Sequence, residues 1–119
     1  MDKYNRLFVL KRYIEEAEAE VCFSINKDIE DNAFYLPESI CSRIICIGNA
    51  YNLHYVSMID IYGDINLNKT QVYSLIDELL FIKSIVNDEI IEHFVPPLIK
   101  LLEEIIRSKD DKTLWVIGN

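Results

Sequence analysis

Glycine and proline are scarce in this chain, three of each among 119 residues. That scarcity excludes a loop-rich all-β chain, which would need turn residues at every few positions. Cysteine is also sparse. Cys22, Cys41 and Cys46 are an odd set with no CxxC spacing, which fits neither a disulfide framework nor a zinc knuckle. Cys41 and Cys46 are five apart and point in different directions on a helix. All three read as small buried residues kept reduced in a cytosol. Long apolar runs are missing too. Leu7–Leu10 is too short for a signal-peptide core. The longest uncharged stretch, 44–59, is interrupted by Gly48, Asn49, Asn52, His54 and Ser57, and falls short of the ~20 apolar residues of a span. The expectation is a cytoplasmic protein with no membrane segment. Positive charge is the last shortage. Twelve Lys and Arg face twenty Asp and Glu, for a net charge of −8. Such a molecule is repelled by a phosphate backbone, so nucleic acid is not an expected partner, whereas a basic protein is.

What is present is a core. Half the residues are hydrophobic and 11% aromatic, which excludes general disorder, and the length suits one domain over 1–119. Apolar residues at 7, 10, 14, 17, 21 and 25 predict a long N-terminal helix, wet on Glu15, Glu16, Glu18 and Glu20. Leu7–Leu10 alone fits a short strand equally well. Residues 26–36 are polar enough for a loop. Pro37 suits the first turn of a second helix with Ile40, Cys41, Ile44, Ile45 and Gly48 on one face, ended by Gly48 and Asn49. Residues 53–62 are β-branched, aromatic and apolar on both parities, which predicts a central strand. Asn68 with Gln71 has the spacing of a capping box. It opens a third helix with Val72, Leu75, Ile76, Leu79, Ile82 and Val86 inward. Asn87 and Asp88 punctuate. Pro96-Pro97 either kink the next helix or start a new one. A turn at 108–111 leads into a short apolar strand, 114–117. The expected fold class is α+β, a helix-dominated single domain with a small sheet. Its C-terminal half runs strand, helix, helix, strand, and the N-terminal half covers that two-stranded sheet or adds a strand.

Few residues suggest chemistry. Asp64, Asn66 and Asn68 occupy the first ligand positions of an EF-hand loop. Lys69 stands where the glycine belongs and Leu75 where the bidentate glutamate belongs, so no calcium or other metal site is expected. Asp60 and Asp64 could form an acid/base pair across Gly63, but no second acidic motif or phosphate loop accompanies them. They read better as local caps, with Gly63 free to take a positive φ. His54 and His93 read as core or boundary residues without metal partners. Ser57 lacks a nucleophile elbow. No catalytic residue and no cofactor is expected. Acidic residues are plentiful instead. Glu15, Glu16, Glu18, Glu20, Asp28, Glu30 and Asp31, joined by Asp60 and Asp64, could form a negative docking face for a basic protein.

One set of residues carries a resemblance. Asp60-Ile-Tyr-Gly-Asp64, Asn68, Gln71, Asp77-Glu78-Leu79 and the closing Leu114-Trp-Val-Ile-Gly-Asn119 resemble a small bacterial family. Its pattern is D-x-Y-G-D-T-x-x-N-x-x-Q, an acidic-Leu helix and a C-terminal L-x-F-I-G-D. Those proteins are similar to immunity proteins of polymorphic toxin systems. The resemblance spans about 55–119, with Ile65 at the Thr position and Asn119 at the final Asp. It implies a non-enzymatic protein that binds and occludes a cognate protein toxin, for which a basic nuclease is a fitting type. It carries no catalytic residues. The alternative is a small structural or regulatory module that forms a homo-oligomer.

Overall fold

The computed structural model describes residues 19–25, 33–110 and 112–118. Four strands and four helices follow in the order β1 Glu20–Ser24, β2 Phe34–Pro37, α1 Glu38–Ala50, α2 His54–Met58, β3 Asp64–Leu67, α3 Lys69–Ile85, α4 Glu89–Arg107 and β4 Leu114–Ile117. The class is α+β, as the composition and periodicity predict.

The strands form one antiparallel sheet in the order β2-β1-β4-β3. The β3-α3-α4-β4 unit has the expected layout, with its two strands side by side, Asp64 opposite Ile117 and Leu67 opposite Leu114. The N-terminal half adds two strands to that pair. β1 docks on β4 with Phe23 opposite Val116, and β2 docks on β1 with Val21 opposite Leu36. Strand alternation then gives one sheet face to Val21, Phe23, Leu36, Leu67, Leu114 and Val116, all buried in a core shared with the four helices.

Helix α4 is the most deeply set, with nine buried residues from Ile90 to Ile105. Its stripe is a clean helical repeat, so the face opposite is charged and wet. Pro96 and Pro97 lie inside it, and the helix continues through both. Of the two expectations for this pair, the fresh helix start is therefore excluded. Lacking N–H groups, the prolines leave the carbonyls of Glu92 and His93 without their ordinary partners four residues on.

The N-terminal half departs from the sequence expectations. Residues 20–24 form a strand, whereas the repeat extending to 21 and 25 predicts helix. Val21, Cys22, Phe23 and Ser24 are consecutively buried, as in a strand covered on both faces. The rest of the expected helix, and the Leu7–Leu10 alternative, lie outside the described residues. The expected loop 26–36 is a strand at 34–36. Pro37 is the N-cap of α1, one residue from its expected place. That helix passes Gly48 and Asn49 and ends at Ala50. The left-handed residue that follows is Asn52, at φ 57°. Gly48 is in the helix because α2 crosses there. A Cβ on it would sit 2.4 Å from Val56 Cγ1.

The largest departure is 53–62, a short helix and a turn rather than a central strand. Only Val56 of α2 is buried. The strand expected here begins at Asp64, beyond the glycine. By contrast the capping box stands as expected. Asn68 Oδ1 accepts from the Gln71 N–H at 2.9 Å, and Gln71 Oε1 accepts from the Asn68 N–H at 2.9 Å. Asp88 caps α4, accepting from the Ile91 N–H at 2.9 Å.

Candidate functional site: an apolar strip on helix α3

The corner at 60–64 is built from backbone hydrogen bonds. Asp60 Oδ1 accepts from the Tyr62 N–H at 2.9 Å, and the Asp60 carbonyl accepts from the Gly63 N–H at 3.3 Å. Gly63 does not use a positive φ. Asp64 starts β3, and its Oδ1 accepts from the Gly118 N–H at 3.3 Å, which also donates to the Gly63 carbonyl at 2.9 Å. A Cβ on Gly118 would lie 2.7 Å from Gly63 N, Gly63 O and the Ile61 carbonyl carbon. The two distant pieces of the sequence motif, 60–64 and 117–118, therefore meet in space. Both aspartates serve as acceptors for backbone N–H groups.

Glu78, the middle of the acidic-Leu triplet, has a role that its sequence neighbourhood does not reveal. Its carboxylate accepts from the N–H groups of Tyr55, at 3.1 and 3.2 Å, and Val56, at 2.9 Å. Those are the orphan donors of α2, whose own N-cap residue, Leu53, supplies no side-chain bond. A third polar tie is the ion pair of Arg43 with Asp88, which fastens α1 to the start of α4. Burial pushes the Asp88 carboxyl up. Hydrogen bonds from Arg43 and the Ile91 and Ile90 N–H groups, with the Arg43 charge, outweigh it and hold the group below its ordinary value.

The acidic docking face is only partly in view. Glu15, Glu16, Glu18, Asp28, Glu30 and Asp31 lie outside the described residues. Glu20 and Asp64 are exposed at the same end of one sheet face, with β4 between them. Asp60 is exposed in the turn before β3. Two further expectations need correction. Cys46 is exposed, while Cys22 and Cys41 are buried. Burial, then the Glu38 charge, pushes the Cys41 thiol up to about 12, so it stays protonated and unreactive at neutral pH. His54 and His93 are both exposed rather than core or boundary residues. Among the described residues no cluster of His, Cys, Asp and Glu could hold a metal ion, and no helix is long and apolar enough to cross a membrane.

The unexpected surface is the outer side of α3. Of the six residues expected inward, Val72, Leu75, Leu79 and Ile82 are buried, and Ile76 and Val86 are half-buried against the core. The opposite face should be polar throughout, yet large apolar residues stand among its Thr70, Ser74, Asp77 and Ser84. Tyr73 is 61% exposed and Leu80 48%, and Phe81 and Ile85 are exposed beside them. Asp77 is the one charged residue within this strip, and no described residue bonds to it. The strip continues onto α1 through Tyr51, whose exposed ring meets Phe81 edge-on, centroids 5.4 Å apart. On the other side it borders a groove of about 430 Å³ between α3 and α4, floored by Ile76, Ile99 and Ile106. Scattered surface apolar residues are ordinary, but a contiguous patch rimmed by polar groups is the mark of an interaction site. The signal was in the sequence: 72–82 is apolar on nearly all sides, unlike the one-sided stripe of 90–105.

Comparison with protein-family models, with curated proteins and with solved structures finds no match to this chain.

Proposed function

We propose that this chain is a non-enzymatic binding protein of the immunity type, which neutralises a cognate bacterial toxin by covering its active surface. The observation that carries this reading is an apolar strip exposed on α3 of a molecule with net charge −8. Apolar surface supplies the attraction and the acidic field selects and steers a basic partner, such as a cationic nuclease. The resemblance of 60–64, 68, 71, 77–79 and 114–119 to immunity-like proteins points the same way. Three free cysteines suit the reducing cytoplasm in which such a protein meets its toxin.

The test is co-expression with a candidate toxin from the gene adjacent to the one that encodes this chain. Relief of that toxin's growth arrest is the expected outcome, and persistent arrest despite soluble expression of this chain would sink the reading. The other reading, a homo-oligomeric structural module, draws on the same exposed strip. Light scattering at neutral pH separates the two, since an occluding monomer keeps its monomer mass of 13.9 kDa when alone.

A further inference from the structure

We infer that the α3 strip and the α3–α4 groove are the docking site for an amphipathic helix of a partner protein, one that carries a Lys or Arg on its apolar seam. This names the contact face of the binding function proposed above and rests on that reading. From Tyr73 to Ile85 the strip is about 18 Å long, some three helical turns. Two packed helices with an apolar groove between their outer sides form a seat for a third, read by apolar anchors at i, i+3, i+4 and i+7. The floor of Ile76, Ile99 and Ile106 would receive those anchors, with Tyr73 and Leu80 along the edge.

Charge decides what the occupant is. Asp77 stands in the strip with no described partner. The cations of α3 itself are engaged elsewhere, Lys69 with the Ser108 carbonyl and Lys83 with Glu92 at 4.0 Å. On the far rim Arg107 pairs with Glu103 at 3.7 Å. The charged residues lining the groove are Asp77 and Glu103 against Arg107, so the seat is negative by one charge. A second copy of this chain would bring the same sign. Antiparallel pairing of two strips about their midpoint sets the two Asp77 carboxylates roughly 6 Å apart along the helices, in a closing apolar interface where like charges repel most strongly. A seam Lys or Arg removes that conflict and gives Asp77 a partner.

The experiment uses the full chain and two synthetic 18-residue amphipathic helical peptides, identical except for Lys or Glu at one seam position. Binding is followed by fluorescence anisotropy of the labelled peptide. The Lys peptide is expected to bind at least about tenfold more tightly than the Glu peptide. Asp77→Lys should reverse that order, and Leu80→Ser should weaken the Lys peptide by about tenfold. Both residues are exposed, so the melting temperature serves as a control for folding. Equal binding of the two peptides, or binding indifferent to both substitutions, overturns the proposal. So does failure of the Lys peptide to bind, and a dimer dispersed by Leu80→Ser would then assign the strip to a second copy. The toxin rescue assay separates the two levels. If Asp77→Lys and Leu80→Ser still rescue fully, this face is wrong and the immunity reading stands. If the unaltered chain gives no rescue but discriminates the peptides, the face stands and the immunity reading falls.

Discussion

Gly118 shows how little room a single position can have. Its missing Cβ lets the end of β4 lie on the turn at 61–63, where the nearest atoms are backbone and cannot swing away. Gly118→Ala is therefore expected to cost about 1–3 kcal/mol, read as a lower urea midpoint with unchanged slope. The same closeness accounts for the two halves of the sequence motif. They are chemically modest residues that hold one another, and their meeting is legible only once β3 and β4 are paired. Asp88 is a second such residue, joining a helix cap to an ion pair. Its carboxyl is held below the ordinary value of 3.8, so the folded state binds fewer protons than the unfolded chain near that pH. The resulting stability is present in full above the ordinary carboxylate value. It is lost as pH falls through that value and on through the lower folded one. Asp88→Asn keeps an N-cap acceptor but removes the charge. It should flatten this part of the stability–pH curve by losing the gain above the ordinary carboxylate value, whereas Asp88→Ala should lower the plateau by about 1 kcal/mol more through the lost cap. A curve identical to that of the unaltered chain below pH 5 would show that the Arg43 pair contributes nothing.

At the scale of elements, what the sequence revealed was local and what it hid was tertiary. The capping box of α3, the Asp88 start of α4 and the terminal strand each depend on residues within four positions of one another. The periodicities of 72–86 and 90–106 are long enough to be decisive. The strand at 20–24 fails that condition. Its helical spacing is real, but pairing with β2 and β4 across 11 to 95 residues overrides it. Residues 53–62 fail in the opposite sense. A β-rich run becomes helix at 54–58 because Glu78, more than twenty residues on, satisfies its first N–H groups. That assignment can be checked. Glu78→Ala should release α2, raising hydrogen exchange at Tyr55 and Val56 and costing about 1 kcal/mol overall. Glu78→Gln, which keeps one acceptor oxygen, should cost less. Unchanged protection at 55 and 56 in Glu78→Ala would mean that packing of Val56 against Gly48 alone forms this helix.

The whole molecule sets its charge against its exposed apolar strip. At neutral pH a net charge of −8 opposes the approach of a second copy, whereas exposed Tyr51, Tyr73, Leu80 and Phe81 favour self-association. None of this was legible from the acidic residues singled out in the sequence, most of which lie before residue 32. The all-round apolarity of 72–82 was legible, but which of its residues form the strip becomes visible only when the fold shows which side of α3 faces the core. The balance predicts a pH dependence that belongs to no single residue. As pH falls toward the sequence pI of about 4.7, repulsion between copies vanishes while the strip stays exposed. Light scattering should then rise steeply between pH 6 and that value, and added salt at pH 7 should produce a weaker rise by screening alone. The double variant Leu80→Ser with Phe81→Ser leaves the net charge and pI unchanged and removes apolar surface at the centre of the strip. It should stay dispersed closer to pH 4.7 and respond less to salt. If it associates over the same pH range as the unaltered chain, net charge alone governs association, and the strip has no stickiness with which to hold a partner.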